Sequence, residues 1–331
     1  MTLNYDITAV GHAIVDVQAS ADEAFLKAHD LHKGAMTLID QHRAHSLFDV
    51  MGDSEMASGG SAGNTIAGAA SFGAKCAYIG KVAHDSLGEF FSHDLKTMGV
   101  TFRTPVLHDD PVSTGRCLIN VTKDGQRTMA TFLGAAALIS PADLDADLIR
   151  ASQITYLEGY LFDTPSGRET FAKAAQIARS AGRKTAITLS DMFVVSRWRE
   201  DLLAFIDRHI DLVFANEAEL LGLFQTDDFD KAVHYLRGKT ELAFITRSEK
   251  GSVVAGPDSV QVVKAAPCAK VVDTTGAGDQ YAAGVLYGLA QGLHVATCAQ
   301  LGSLAAAEVI AHFGPRPLVS LAGLAKEAAL V

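Results

Sequence analysis

The feature that most constrains this chain is an alternation of short apolar runs with longer stretches of helical periodicity. Ile7–Val10, Cys76–Ile79, Ile154–Leu157, Thr185–Leu189 and Leu212–Ala215 have strand length and read as buried on both faces. Between them lie helix-patterned stretches such as Leu87–Met98, Glu169–Ala181 and Leu202–His209. A strand with no polar face must be covered on both sides, and the strand–helix rhythm supplies the covers. The expected fold is α/β, a Rossmann-like three-layer core around a mostly parallel central sheet. Ligands in such sheets bind beyond the C-terminal ends of the strands, which says where to look for chemistry.

One stretch breaks the rhythm. Cys117–Thr122 and Gln126–Phe132 read as extended runs around Asp124-Gly125, a strong hairpin signal in which both turn positions favour positive φ. The irregular stretch Asp16–Asp40 is expected to add further strands beside it. Together, residues of about 13–40 and 101–132 are expected to form a small β-sheet lid, inserted into a single domain spanning 1–331. No internal repeat, low-complexity tract or linker marks a second independent domain.

Two glycine-rich elements carry the chemistry. The first is Asp273-Thr274-Thr275-Gly276-Ala277-Gly278-Asp279, preceded by the apolar pair Val271-Val272 and followed by the helix Gln280–Ala290. This reads as strand, glycine turn, helix. Small residues here let backbone N–H groups approach a phosphate, with the helix dipole adding to the attraction. A carboxylate at the same place would repel that phosphate, unless Asp279 faces an acceptor hydroxyl and takes its proton while the N–H groups cradle the phosphoryl group. The bland alternative is an N-cap Asp after a glycine turn. The second element, Gly59-Gly60-Ser61-Ala62-Gly63-Asn64, enters the stretch Thr65–Phe72. Asn64 can both donate and accept towards a polyol; the bland alternative is a flexible loop before a helix.

Several classes are disfavoured. The net charge of −10 leaves no basic stripe for nucleic acid. Tyr281 stands at the third glycine position of a dinucleotide fingerprint, and no acidic residue follows about twenty positions on to hold a ribose. There is no Walker A motif and no protein-kinase signature. Cys76, Cys117, Cys268 and Cys298 have no C-x-x-C spacing and are expected to be reduced core residues. The start of the chain, Met1 to Asp6, lacks the pattern of a signal peptide, and no apolar run approaches membrane-spanning length. The expected compartment is the cytoplasm, with no membrane partner.

Together these elements resemble the two signatures of the ribokinase (PfkB) carbohydrate-kinase family, most closely its adenosine-kinase branch. The first signature covers Gly59 to about Gly99, with Gly80 and Asp85-Ser86-Leu87-Gly88; the second is Asp273–Gly284. Asn216-Glu217-Ala218-Glu219 is similar to the family's N-x-x-E motif. The resemblance implies a ribokinase-like fold, ATP as donor, Asp279 as catalytic base, and Thr275, Gly276, Ala277 and Gly278 as an anion hole. It implies that Asn216 and Glu219 act on Mg²⁺ and phosphate through water, with Thr246 and Gly251 completing the ATP set. It further implies that Arg127 reaches the phosphates from the lid. A monovalent cation, K⁺, would be held by the backbone around Asp273 and Thr275 with the Phe313-Gly314 loop.

For the acceptor, Gly11-His12-Ala13-Ile14-Val15-Asp16 resembles the branch's G-N-x-x-x-D with His12 in place of Asn, and Leu189-Ser190-Asp191-Met192-Phe193 resembles its L-S-x-x-F. The resemblance implies substrate contacts from Asp16, His12, Gly60, Asn64, Tyr160 and Phe193, the last two as aromatic walls for a base or else simply core aromatics. A nucleoside such as adenosine, phosphorylated on its 5′-hydroxyl, is the first expectation; ribose or a ketohexose is the alternative. A nicotinamide-dependent oxidoreductase or a non-catalytic binder are remote alternatives. The roles of Glu158 and Asp191, and the choice between monomer and homodimer, stay open.

Overall fold

The computed structural model describes residues 3–108 and 110–331. Met1, Thr2 and Asp109 lie outside the described residues, and with them the very start of the chain and one position of the expected lid segment 101–132.

In chain order the strands are β1 (Tyr5–Val10), β2 (Ile14–Ser20), β3 (Met36–Leu38), β4 (Ser54–Gly59), β5 (Cys76–Ile79), β6 (Thr101–Phe102), β7 (Thr114–Val121), β8 (Arg127–Gly134), β9 (Ser152–Glu158), β10 (Lys184–Thr188), β11 (Leu212–Asn216), β12 (Leu242–Thr246), β13 (Ser252–Ala255) and β14 (Val260–Val263). Nine of them form the central sheet in the order β14-β13-β12-β11-β10-β9-β1-β5-β6. From β6 to β12 every pairing is parallel; β13 and β14 extend the edge as an antiparallel hairpin. Successive side chains on a strand point to opposite faces, so each central strand feeds two cores. Leu212 and Phe214 pack on one face with the helices Ser61–Ser71, Ser86–Thr97 and Ala277–Ala290. Val213 and Ala215 pack on the other with Pro165–Ser180, Met192–His209 and Glu217–Phe224. These are the three expected layers of a ribokinase-like α/β fold.

The second sheet has the order β3-β8-β7-β2-β4. Its makeup corrects the expected lid boundaries. β4 belongs to it although residues 54–59 lie outside the expected segments, and β6 pairs with β5 in the central sheet instead. β4 escaped notice because its first half faces solvent and it has no apolar run to betray it. The hairpin between β7 and β8 also differs in detail. Thr122 and Gln126 close the loop, the Gly125 N–H bonds to the Thr122 carbonyl, and only Gly125 has positive φ, at +81°. This is a turn with a glycine at the left-handed position, not a two-residue turn with two such positions.

The apolar pair before the glycine turn forms no strand. Val271 is exposed, and the segment is tied instead by the Val272 N–H to the Ile310 carbonyl. The following helix begins at Ala277, earlier than expected, so the glycine turn is its first turn. All four cysteines are free; Cys268 departs from the core expectation, lying half-buried in the loop before the turn. No helix among the described residues is long and apolar enough to cross a membrane.

Candidate active site

The sheet's strand order reverses between β1 and β9, and a cleft of about 920 Å³ opens there, beyond the C-terminal strand ends and under the lid. The chain just past β1 brings His12, β9 ends in Glu158, and β11 and β12 end in Asn216 and Thr246; all line the cleft. Asp16 and a row of apolar residues, Ile14, Leu38, Cys117, Met129 and Leu133, line it from the lid.

Asp279 is the third residue of its helix, and the cap position belongs to Gly276, whose φ of +78° and whose would-be Cβ, 2.7 Å from Pro315, admit only glycine. The N-cap reading of Asp279 therefore fails. Its carboxylate turns away from its own helix and accepts from the Ser61 hydroxyl at 2.6 Å and the Asn64 amide at 3.1 Å. The N–H groups of Gly276, Gly278 and Asp279 consequently make no hydrogen bond among the described residues. Burial pushes the Asp279 carboxyl up to about 7, opposed by the bonds from Ser61 and Asn64 and assisted by the charges of Glu158 and Asp16. The arrangement joins a proton acceptor with a near-neutral pKa to three open donors at a helix N-terminus. It suits proton removal from a hydroxyl beside a bound anion.

The expected anion hole is only partly available. Thr275 spends its N–H and its hydroxyl on Asp273, at 2.9 and 2.7 Å, and the Ala277 N–H bonds to the Thr274 carbonyl. The Asp279 N–H, not expected as a donor, is open. Asp273 also takes Arg127 of β8 at 2.5 Å and the Gly314 N–H at 3.2 Å. Arg127 is thus a buried lid-to-core ion pair and not a solvated side chain. Burial would raise Asp273, but the bonds from Thr275 and Arg127 hold it below the usual carboxylate range. With all four lone-pair sites of that carboxylate taken, and a guanidinium beside it, the Asp273 side chain does not fit a monovalent cation.

Asp16 extends from β2 into space that Gly59 on neighbouring β4 leaves empty; a Cβ at residue 59 would fall 2.4 Å from the Asp16 carboxylate. Burial pushes Asp16 up to about 6, with Arg316 and Arg127 pulling the other way. Arg316, which no sequence signal marks, is held by Asp94 at 2.9 Å and by Ser58 of β4. Gly60, with φ of +86°, caps the helix carrying Ser61 and Asn64. His12 pairs with Glu158 through Nδ1 at 2.7 Å. Glu158 was visible in the sequence only as an acidic residue at a strand end, and its partners lie 96 and 146 residues away.

Asn216 and Glu219 form a capping box. The Glu219 N–H donates to the Asn216 side chain at 2.8 Å, and the Asn216 backbone and side-chain N–H groups donate to Glu219 at 2.9 and 2.7 Å. Burial pushes Glu219 up to about 7, with Asp191 adding to the rise. Each Glu219 oxygen keeps a lone pair beside the cleft, which fits a hydrated Mg²⁺ held through water. Thr246 lines the cleft next to Asn216, but Gly251 does not. Gly251 sits in the turn before β13, where a Cβ would lie 2.1 Å from the Val263 carbonyl.

Tyr160 and Phe193 both line the cleft. Phe193 is a half-exposed rim residue and not a core aromatic, with the Arg197 guanidinium 4.0 Å from its ring centre. Asp191 is the N-cap of this helix, accepting from the Val194 N–H at 3.0 Å. Ser190, before it, has φ of +69°, a strained conformation at the cleft wall.

Comparison with known proteins adds to this geometry. The profile of the family described as "pfkB family carbohydrate kinase" matches residues 40–320. The chain is 27% identical to the adenosine kinase of Saccharomyces cerevisiae, over 93% of this chain and 96% of that protein. The solved structure of a probable sugar kinase protein from Rhizobium etli superimposes with a TM-score of 0.91 at 44% identity, covering 100% of both chains. That of adenosine kinase from Sinorhizobium meliloti superimposes with a TM-score of 0.89 at 48% identity, covering 98% of this chain and 99% of that one.

Proposed function

This chain belongs to the pfkB family of carbohydrate kinases, and from that premise we propose that its acceptor is a nucleoside, adenosine, phosphorylated on the 5′-hydroxyl. The membership makes it an ATP- and Mg²⁺-dependent phosphotransferase acting on an alcohol group. The choice of acceptor rests on one observation: the cleft lining sets a row of apolar side chains beside its hydrogen-bonding groups. Asp16, Asn64 and Asp279 offer hydrogen-bonding atoms to a sugar, while Ile14, Leu38, Met129, Leu133 and the rim ring of Phe193 offer a bed for a flat base. A free pentose would leave most of that apolar row in water.

In this reading Asp279 takes the proton of the 5′-hydroxyl as the oxygen attacks the γ-phosphorus, and ADP departs. The open N–H groups of Gly276, Gly278 and Asp279 hold the transferring phosphoryl oxygens. Mg²⁺, when bound near Asn216 and Glu219, neutralises phosphate charge. We expect the protein in the cytoplasm, as a monomer or homodimer. No step is assigned to K⁺.

The test is kcat/KM for adenosine and for ribose, in wild type and in Phe193→Ala. Losing a base stack costs roughly 1–3 kcal/mol, so the variant is expected to raise KM for adenosine by roughly 5- to 150-fold and to leave ribose unchanged. A wild-type preference for ribose, or equal impairment on both, would replace this reading with a sugar kinase.

A further inference from the structure

The pair His12–Glu158 spans the point where strand order reverses, linking the chain after β1 to the end of β9. Both are buried, at 4% and 1% exposure. The two Glu158 oxygens take three donors: His12 Nδ1 at 2.7 Å, the His12 backbone N–H at 3.3 Å and the Ala62 N–H at 2.9 Å. The Tyr78 hydroxyl donates to the His12 carbonyl at 2.9 Å. Even the space beneath is committed, since a Cβ on Gly11 would stand 2.6 Å from Glu158 Oε2. The His12 ring is therefore fixed at its backbone and at one nitrogen.

The other nitrogen is not satisfied. His12 Nε2 is buried without a hydrogen-bond partner, in a residue that lines the cleft, and the same holds for Asn64 Oδ1. Buried polar atoms in folded proteins find partners, so such an orphan beside a cleft is completed by what the cleft binds. A carboxylate accepting from Nδ1 puts the proton of a neutral imidazole there and leaves Nε2 bare. The orphans at this end of the cleft are then both acceptors, and Asp16 adds a third. Such a set calls for a ligand that arrives with several O–H donors.

Building on the nucleoside reading above, we propose that Glu158 is a positioning residue that fixes His12 with its proton on Nδ1, so that Nε2 accepts a hydrogen bond from one secondary hydroxyl of the acceptor sugar. The same carboxylate steadies, through Ala62, the first turn of the helix whose Ser61 and Asn64 hold Asp279. One buried group thus sets both the recognition of the sugar and the seat of the base.

The experiment has two arms. Long-range ¹H–¹⁵N NMR of histidine-labelled wild-type protein, with His12 identified by the signal lost in His12→Leu, is expected to show the proton on Nδ1, and an Nε2 shift on adding adenosine. Kinetics with adenosine and its 2′- and 3′-deoxy analogues are expected to show one deoxy analogue reduced about 10–100-fold in kcat/KM in wild type. In His12→Leu and in Glu158→Gln that penalty is expected to shrink to within about threefold, carried mainly by KM. A proton on Nε2 in the free protein overturns the proposal. So does the absence of any hydroxyl penalty in wild type, or a penalty that survives in the variants; a merely structural role would instead slow all acceptors alike. If wild type ignores adenosine but phosphorylates ribose, the nucleoside reading falls, and the same kinetic arm run with deoxyriboses still decides the role of His12.

Discussion

Two helices of this protein carry a carboxylate at their third residue, Glu219 on Glu217–Phe224 and Asp279 on Ala277–Ala290. Burial pushes both up to about 7. Their hydrogen bonds separate them. Glu219 folds back onto Asn216 and closes its own helix, as a capping box does. Asp279 is gripped by a different helix, and its own first turn stays open. A raised carboxyl alone therefore does not mark a base. What distinguishes Asp279 is that its partners come from elsewhere, which frees the N–H groups beside it for an anion.

The most severe test of this contrast is Asp279→Asn, which keeps the shape and removes proton acceptance. We expect kcat to fall at least ~10²-fold with ATP affinity nearly unchanged; a variant keeping a tenth of wild-type kcat would put the base elsewhere. In wild type the acid limb of kcat/KM should have its midpoint near pH 7, where Asp279 protonates, and measured rates that stay flat from pH 5 to 8 would contradict this.

Next in size is Gly278→Ala. A Cβ there meets no protein atom within 4 Å, so the fold is untouched and the helix gains propensity. The methyl stands beside the open donors, however, and KM for ATP should rise about tenfold, equivalent to about 1.4 kcal/mol. An unchanged KM would mean that the phosphates bind elsewhere.

A third test concerns stability. The folded protein keeps the Asp279 proton between its ordinary value of 3.8 and about 7, whereas the unfolded chain loses it. Stability from this group therefore falls as pH rises through that window. Asp279→Asn removes the loss, so its Tm should exceed that of wild type by roughly 2–4 °C at pH 8, with the gap closing towards pH 4. A gap that widened towards acid would refute the buried-charge account.

The smallest effect belongs to Glu219→Gln. Glutamine keeps the bond from the Asn216 backbone N–H and, like Asp279→Asn, removes a buried charge, so Tm at pH 8 should not fall. The Mg²⁺ needed for half-maximal rate should rise about two- to fivefold, the scale of a charge acting through water. Superimposable Mg²⁺ titrations would leave Glu219 a purely structural residue.

How much of this was legible follows from the range of the interactions. β1, β5, β9, β10 and β11 were readable because burial on both faces writes a short, mostly apolar run into the chain. β4 and β3 have no such run, since half of the one and all of the other face solvent. The spacing of Asn216 and Glu219 was visible, but the same i, i+3 spacing serves a cap and a ligand pair equally, and only the hydrogen bonds show the cap. Asp279 stood out because a carboxylate inside a glycine turn is locally inconsistent. The partners of Glu158 and the pairing of Arg127 with Asp273 join residues about a hundred or more positions apart, which local pattern cannot encode.

The saturated carboxylate of Asp273 also has an experimental use. Its hydrogen bonds and the Arg127 guanidinium hold it below the usual range, whereas Asp279 sits at about 7. Mild acid therefore protonates Asp279, the proposed base, long before it reaches the Arg127–Asp273 clasp between the two sheets. Near pH 6 the rate should be about a tenth of its plateau, with the Arg127–Asp273 pair still closed. Limited proteolysis at pH 8 and pH 6 should give the same pattern while the rate falls; faster cleavage in the hairpin of β7 and β8 at pH 6 would show that the clasp opens together with the protonation of Asp279.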